Sequence, residues 1–217
     1  MSDPSIVRAA IFDFDGTLFD SSPAWEEVLV GYLDNFGVPA PEGCIMDEVK
    51  ALGLHGGAKK YIESYRIPRT PEQVVTSWRE AMGKRYREDI PLHAHAYAYL
   101  EKLKAQDVYL ALATAMERDF VESALERTGA NVLFDLAVTT GDLGVDKNSP
   151  RIFEHCIEAG ASTNETSVVF EDSPTAARVC QAAGIPVIGV FDGMSEQDFM
   201  RIQPYCVKTI RSYSELL

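Results

Sequence analysis

The chain has 217 residues, of which 46% are hydrophobic, so it can bury a sizeable core as one large domain or as one domain with a smaller insert. Its 20 basic and 33 acidic residues leave a formal net charge of −13, and no block of the chain is rich in lysine or arginine. Nucleic acids and anionic membranes both require a basic surface, so neither is an expected partner.

The first strand is predicted at residues 7–14, VRAAIFDF, which are mostly apolar and end at a glycine-containing turn. Four helical stretches follow between Pro23 and about Glu88: PAWEEVLVGYLDNF, PEGCIMDEVKAL, GAKKYIESYR and PEQVVTSWREAMGKRYRE. Three of them begin with proline, which is favoured in the first turn of a helix, and Gly53 follows the second as its predicted end. We interpret ALGLHGGAKK as a glycine-rich loop between two helices.

From residue 91 onward, helical and strand-like stretches alternate, as in crossover units on a parallel sheet. Four pairs follow: AHAYAYLEKLKAQ with VYLALAT, RDFVESALERTG with FDLAVTT, PRIFEHCIEAG with TSVVFED, and TAARVCQAAG with IPVIGVF. The first strand belongs with this group, because a lone strand followed by four helices has no partner. The predicted fold class is α/β, a Rossmann-like doubly wound parallel sheet formed by residues 1–18 and 91–217, with an inserted α-helical domain at 19–90.

Polar side chains follow three of the predicted strands at their carboxyl ends, where doubly wound sheets bind ligands. Asp13 and Asp15 follow the first strand, Thr114 ends the second, and Glu171 and Asp172 follow SVVF. Strand residues two apart point to the same face, so Asp13 and Asp15 are expected to reach one small group. Carboxylates gathered in this way repel one another without a cation, and Mg²⁺ is the hard, oxygen-seeking ion that suits them.

Two further residues suit an anionic ligand. Lys147, in the loop GVDKNSPRIF, adds a mobile positive charge, and Gly16 lets backbone amides approach an anion. Carboxylates, a cation, a lysine and a hydroxyl together suit phosphoryl transfer, in which a protein mainly positions groups and neutralises charge. A carboxylate can also be the nucleophile in such a reaction.

The cellular setting is predicted from what the sequence lacks. The four cysteines lie far apart, and the N-terminal residues lack the charged and then apolar segments of a secretory signal. No apolar stretch approaches the roughly 20 residues that a membrane-spanning helix needs. We therefore expect a soluble cytoplasmic protein, and both a monomer and a homodimer remain open.

Four segments resemble, in order, the motifs of the haloacid-dehalogenase-like hydrolases: DFDGTLFDS, LALAT, the lysine of DKNSPRIF, and VVFEDSPTAARVCQAAGIPVIGV. Within that superfamily the chain is similar to the phosphoglycolate phosphatase and beta-phosphoglucomutase group, whose helical cap is inserted after the first motif. The resemblance covers nearly the whole chain. It departs from the usual pattern at Ala115, Asn148 and Ala176, where asparagine, proline and glycine are frequent.

The resemblance implies a Mg²⁺-dependent phosphatase that hydrolyses a small phosphorylated metabolite through an aspartyl-phosphate intermediate. It implies that Asp13 is the nucleophile and Asp15 the general acid and base, while Thr114 and Lys147 hold the phosphoryl group. Asp172 would bind Mg²⁺ with the Asp13 carboxylate and the Asp15 main-chain carbonyl, assisted by Glu171. Further candidate substrate contacts are Gly16, Thr17, Ala115, His55 and Lys59.

Three alternatives differ from this reading in recognisable residues. Phosphomutases of the group carry a histidine shortly after the first motif, whereas SSPAWEEV contains none, so hydrolysis is favoured. A dehalogenase lacks the second aspartate of the first motif, which is Asp15 here. A non-catalytic regulatory module on the same fold is free to lose the nucleophile, yet every catalytic position is filled. The substrate stays open between a phosphorylated two- or three-carbon acid and a sugar phosphate.

Overall fold

A computed structural model of the protein describes residues 7–40, 53–193 and 196–217. The chain forms two compact units. One, which we call the sheet unit, comprises Met1–Asp20 and Pro91–Leu217, and the other, the helical unit, comprises Ser21–Ile90. The helix predicted at residues 41–52 lies outside the described residues, and the function of the helical unit as a cap stays a prediction.

The described part of the helical unit contains α1 (Ser22–Asp34), α2 (Gly53–Tyr65) and α3 (Pro71–Glu88). The sequence pattern predicts the bounds of α3 correctly, because its start carries a strong local signal. The Thr70 hydroxyl accepts a hydrogen bond from the Gln73 main-chain N–H, and the Gln73 side-chain oxygen accepts one from the Thr70 main-chain N–H. Pro71 occupies the first turn. The three helices share one hydrophobic core, formed in part by Leu29, Leu33, Ala58, Tyr61, Val74 and Trp78.

The prediction of a glycine-rich loop before α2 is wrong. Gly53 belongs to this helix, and the end of the stretch ALGLHGGAKK forms its first two turns. A glycine in a helix costs about 1 kcal/mol relative to alanine. Tertiary packing outweighs that cost here, because Ala58 and Tyr61 are completely buried in the core of the unit.

The described part of the sheet unit contains six parallel strands in the order β3-β2-β1-β4-β5-β6. They are β1 (Ala9–Phe12), β2 (Tyr109–Thr114), β3 (Leu136–Thr139), β4 (Ser167–Glu171), β5 (Val187–Val190) and β6 (Lys208–Ile210). β1 lies inside the sheet, and all four of its residues are buried. The predicted Rossmann-like doubly wound sheet is confirmed, and the direction of winding changes beside β1, where such sheets bind ligands.

Helices connect these strands and cover both faces of the sheet. They are α4 (Ala96–Ala105), α5 (Arg118–Thr128), α6 (Thr140–Leu143), α7 (Arg151–Ala159), α8 (Pro174–Ala182) and α9 (Glu196–Ile202). Residues of α7, α8 and α9 share a core with Ile11 and Val169 on one face. On the other face Tyr99 of α4 packs against Phe170, with ring centres 5.7 Å apart.

The periodicities leave the residues after 191 unassigned, whereas the structure has α9, β6 and two 3₁₀ turns there, Gln203–Tyr205 and Tyr213–Leu216. These elements are short, and their apolar patterns are too brief to separate helix from strand. In the described ranges, no helix combines the length and the apolar composition that crossing a lipid bilayer demands.

Candidate active site

The register of the sheet brings the first and fourth predicted motifs side by side. Phe12 pairs with Phe170, so Asp13 and Glu171 lie level at the carboxyl ends of β1 and β4. The Asp13 amide donates a hydrogen bond to the Phe170 carbonyl at 3.0 Å, which extends the pairing by one residue beyond β1. Asp172 follows directly. Residues more than 150 positions apart thus converge on one edge of the sheet.

Asp13, Glu171 and Asp172 form the acidic cluster of the site. All three are buried, and one carboxylate oxygen of each lies within 4.8 Å of those of the other two. Among the described residues this is the one group of three or more potential metal ligands. Three buried carboxylates at these distances need compensating positive charge.

Lys147 supplies part of that charge. Its Nζ donates to Asp13 Oδ1 and, at 2.8 Å, to Glu171 Oε1. It also lies 5.5 Å from the ring centre of Phe153, which supports it from α7. Burial lowers the pKa of Lys147, but the carboxylates of Asp13 and Glu171 outweigh that effect, so the pKa lies above its usual value. The side chain is therefore a permanent cation at neutral pH.

The loop that carries Lys147 also explains why asparagine is tolerated after it. The Asn148 amide donates to Asp146 Oδ1 at 2.9 Å, and the Asn148 side chain donates to the other oxygen of the same carboxylate at 3.2 Å. A proline at this position has no N–H to donate. Asp146 and Asn148 thus close the turn that directs Lys147 towards the acidic cluster.

One lysine does not balance the three carboxylates of the acidic cluster. Burial raises the pKa of the Asp13 carboxyl well above its usual range; Lys147 opposes the rise, while Glu171 and Asp172 add to it. Three carboxylates against one ammonium leave an excess of negative charge that a divalent cation would neutralise. The donors are hard carboxylate oxygens, the ligand type that Mg²⁺ prefers, so the residues fit such an ion.

Asp172 is held by the turn that follows Asp13. Thr17 Oγ1 donates to Asp172 Oδ1 at 2.9 Å, and Gly16 packs directly against the same carboxylate. Gly16 has φ +71°, and a Cβ on it would lie 2.7 Å from Asp172 Oδ2, so no larger residue fits without a shift. Hydrogen bonds between Phe14 and Phe19 and between Gly16 and Phe19 close this turn, which we call the aspartate turn (residues 14–19).

Asp15 differs from its predicted placement. β1 ends at Phe12, so Asp13 and Asp15 do not share a strand face, and Asp15 lies in the aspartate turn instead. Its side chain is half-buried, and it does not belong to the acidic cluster. A half-buried carboxylate keeps access to water, and the predicted role of Asp15 as general acid and base stays a prediction.

The remaining predicted residues of the sheet unit divide into buried and exposed positions. Thr114 ends β2, next to β1, and is buried; its Oγ1 accepts a hydrogen bond from the Met116 amide at 3.0 Å, so its hydroxyl proton can point elsewhere. Ala115 is exposed. Thr17 is fully buried, and its hydroxyl donates a hydrogen bond to Asp172. The substrate contact predicted for Thr17 stays a prediction.

The two candidate substrate contacts of the helical unit lie on α2. His55 and Lys59 are exposed and four residues apart, so they share one face of the helix. Hydrogen bonds at the start of α3 lower the pKa of Glu72, and the charges of His55 and Lys59 lower it further. Their contact with a substrate stays a prediction.

Two residues near the site have no counterpart among the predicted ones. Asp192 is buried, and its Cβ lies 3.2 Å from the position that a Cβ on Gly16 would take. It lies two residues after β5, so its position at the carboxyl end of a strand would have indicated it in the same way as Asp13. Tyr213 donates from its hydroxyl to the Thr17 carbonyl at 3.1 Å, and no motif indicates it.

Known proteins resemble this chain over most of its length. A family model described as haloacid dehalogenase-like hydrolase matches residues 10–190. Validoxylamine A 7'-phosphate phosphatase from Streptomyces hygroscopicus subsp. limoneus is 27% identical over 84% of this chain and 85% of its own length. The phosphorylated carbohydrates phosphatase of Thermotoga maritima is 25% identical over 88% of each chain.

Solved structures share the fold over nearly the whole chain. A structure of a predicted phosphoglycolate phosphatase from Haemophilus somnus superposes with a TM-score of 0.81, at 18% identity, over 97% of this chain and 96% of its own. Beta-phosphoglucomutases are also among the structures with this fold. Because the family model spans both the first strand and the acidic cluster, the chain belongs to the haloacid dehalogenase-like hydrolases.

Proposed function

We propose that this protein is a Mg²⁺-dependent phosphatase that hydrolyses a small phosphorylated metabolite through a covalent aspartyl-phosphate on Asp13. The observation that carries the proposal is the buried contact of Asp13 with Lys147, beside Asp172, at the switch point of the sheet. The names of both relatives, one for a phosphorylated validoxylamine and one for phosphorylated carbohydrates, support a phosphate-ester substrate.

In the first step, a carboxylate oxygen of Asp13 attacks phosphorus while the bond from phosphorus to the ester oxygen breaks. Asp15 gives its proton to the departing alkoxide, which leaves as an alcohol. Lys147, which donates to Asp13 Oδ1, neutralises charge on the attacking carboxylate and on the phosphoryl oxygens. The hydroxyl proton of Thr114 is available for one of those oxygens.

In the second step, Asp15 takes a proton from a water molecule whose oxygen attacks the phosphorus of the aspartyl-phosphate. The bond from phosphorus to Asp13 breaks, so the carboxylate is restored and inorganic phosphate leaves. Mg²⁺, when bound, would supply positive charge that stabilises the phosphoryl oxygens. Asp13 and Asp172 are the carboxylates that would hold it, together with the Asp15 main-chain oxygen.

Hydrolysis is preferred over the related reactions for reasons of sequence. A mutase must return the phosphoryl group to sugar, and the histidine that its subgroup carries after the first motif is missing from residues 21–28. Asp15 and Asp172 disfavour the metal-independent dehalogenase reaction. A regulatory module without catalysis has no need for the buried ion pair between Asp13 and Lys147, because the desolvation of two charges can cancel what their attraction contributes to stability.

The test compares p-nitrophenyl phosphate turnover by the wild type, with and without Mg²⁺, with turnover by two variants. We expect Asp13→Asn to be inactive, because an amide cannot form the covalent intermediate. Asp15→Asn should release at most one equivalent of nitrophenol per site and then slow by roughly 10²- to 10⁴-fold, because nitrophenol leaves without a proton but water still needs a base. Steady turnover by Asp15→Asn without a burst, or a phosphoryl label recovered away from Asp13, would contradict the assignment.

A further inference from the structure

Tyr213 connects the last turn of the sheet unit to the aspartate turn. Its side chain is 1% exposed, and its hydroxyl donates to the main-chain carbonyl of Thr17 at 3.1 Å. The two residues are 196 positions apart. Thr17 is fully buried, so its carbonyl has little access to water, and the phenol satisfies an acceptor that is costly to leave alone.

Thr17 passes this contact on to the acidic cluster. While its carbonyl accepts from Tyr213, its hydroxyl donates to Asp172 Oδ1 at 2.9 Å. A shift of the Thr17 backbone therefore moves the donor that orients the Asp172 carboxylate. Gly16 precedes Thr17 and packs tightly against the Asp172 carboxylate, so such a shift also changes the distance between the Gly16 backbone and that carboxylate.

The ring of Tyr213 is fixed by aromatic neighbours that immediately precede the cluster in sequence. Its centre lies 6.4 Å from that of Phe12 and 6.1 Å from that of Phe170, and these two rings stack on each other at 4.4 Å. Phe12 precedes Asp13, and Phe170 precedes Glu171. Tyr99 completes the group, 5.7 Å from Tyr213.

The segment that carries Tyr213 is held in turn by its own hydrogen bonds. Ser212 and Glu215 cap the 3₁₀ turn Tyr213–Leu216. Lys102 of α4 donates to the Leu216 carbonyl at 2.7 Å and to that of Leu217 at 2.8 Å. These two bonds, which we call the clamp, tie the turn that carries Tyr213 to α4.

We propose that Tyr213 is a positioning residue of the active site: through Thr17 it holds Asp172 in the orientation that binds the divalent cation. This inference rests on the proposed function, because it concerns the ion of that same site. The one proton of its hydroxyl goes to the Thr17 carbonyl, so Tyr213 acts on the acidic cluster indirectly. It acts by removing freedom from the turn, and the site loses cation affinity when the phenol hydroxyl is absent.

The test measures Mg²⁺ binding directly, by isothermal titration calorimetry on the intact chain. Tyr213→Phe removes one hydroxyl and keeps the ring, and we expect its Mg²⁺ dissociation constant to rise roughly three- to tenfold, the range expected for one buried hydrogen bond. Tyr99→Phe is the matched control. It makes the same change in the same aromatic group, and among the described residues its hydroxyl donates no bond to the aspartate turn.

A double variant tests the route through Thr17. Thr17→Val removes the hydrogen bond to Asp172 and should itself weaken Mg²⁺ binding. If Tyr213 acts through that bond, adding Tyr213→Phe to Thr17→Val should weaken binding less than it does in the wild type, because coupled residues are not additive. Independent, fully additive losses would overturn the route.

Other outcomes are equally decisive. If Tyr213→Phe binds Mg²⁺ as tightly as the wild type and lowers the melting temperature only as Tyr99→Phe does, Tyr213 contributes to core packing and not to cation binding. That result would overturn the inference. If Tyr213→Phe fails to fold, Lys102→Met, which releases the clamp, must weaken Mg²⁺ binding in the same direction, and unchanged affinity would overturn the inference. A wild type that binds no Mg²⁺ and hydrolyses no ester would instead overturn the proposed function.

Discussion

Glu171 and Asp172 are neighbours in sequence, yet their carboxylates accept hydrogen bonds from different parts of the site. Both oxygens of Glu171 accept hydrogen bonds, one from Lys147 at 2.8 Å and one from the Ser173 amide at 2.8 Å. Asp172 instead accepts from Thr17 in the aspartate turn. Glu171 is thus built to orient Lys147, whereas Asp172 is the better candidate for a metal ligand.

These two residues should therefore respond differently to neutralisation. We expect Asp172→Asn to raise the Mg²⁺ concentration for half-maximal activity by roughly 10- to 100-fold, because a ligand charge is lost. Glu171→Gln should lower kcat with a much smaller change in Mg²⁺ requirement, because Lys147 loses its second carboxylate partner. Mg²⁺ titrations of the initial rate with p-nitrophenyl phosphate measure both quantities. Equal shifts in Mg²⁺ requirement would mean that both residues hold the ion.

The residues that could be predicted from sequence are those that a strand carries to the edge of the sheet. Asp13 and Asp172 follow apolar runs that are predicted to be strands. Because doubly wound sheets bind ligands at the carboxyl ends of their strands, the sequence alone predicts that these two residues lie together. The bonds that hold them could not be predicted, because Thr17 reaches Asp172 across 155 positions and Tyr213 reaches Thr17 across 196. Such contacts depend on tertiary packing, of which a hydroxyl in a sequence gives no sign.

Among the elements, the short helix α6 has the clearest electrostatic support. It starts with a capping box in which Thr139 and Asp142 bond each other. Asp142 also accepts from Arg118 of α5, at 2.6 Å, so a single carboxylate joins the end of β3 to α5. The pKa of Asp142 lies well below its usual range, chiefly because of Arg118 and next because of the Thr139 amide.

This lowered pKa predicts how stability changes with pH. A carboxyl whose pKa is lower in the folded state than in the unfolded state stabilises the folded protein. This contribution is complete when the pH is above the pKa of the unfolded state, near 4, and it is lost as the pH falls towards the pKa of the folded state. We expect Asp142→Asn to lower the melting temperature at pH 7, with a difference from wild type that shrinks below about pH 4. Asp107→Asn, the same change at an exposed position, is the control. A difference that stays constant down to pH 3 would rule out Asp142 ionisation as its source.

Element boundaries were predictable where local chemistry is strong. α3 has both a capping box and a first-turn proline, and its predicted and observed bounds agree. α2 starts among glycines that favour a loop locally, and only the core of the helical unit, which includes Ala58 and Tyr61, makes that stretch helical. α6 and β6 are too short for a periodicity to develop.

At the scale of the whole molecule, the residues of the sheet unit on either side of the inserted segment 21–90 lie next to each other. The Asp20 amide donates to the Pro91 carbonyl at 2.9 Å, and the His93 amide donates to the Leu18 carbonyl at 2.9 Å. A bridge between Phe19 and Leu92 lies between these bonds. Hydrogen bonds within the sheet unit therefore hold Asp20 close to Pro91, the two residues that flank the insertion. The acidic cluster, Lys147 and Thr114 all belong to the sheet unit.

This geometry allows the helical unit to be removed cleanly. We expect a variant in which a short Gly-Ser linker replaces residues 21–90 to fold, to bind Mg²⁺ and to hydrolyse p-nitrophenyl phosphate above the background of the same variant carrying Asp13→Asn. Its rates on a panel of two- and three-carbon phosphoacids and sugar phosphates should become similar to one another, because the candidate substrate contacts His55 and Lys59 are removed. Calorimetry and phosphate release provide the measurements. An unchanged ranking of these substrates would instead assign specificity to the sheet unit, and a folded variant that no longer binds Mg²⁺ would show that the helical unit contributes to the metal site.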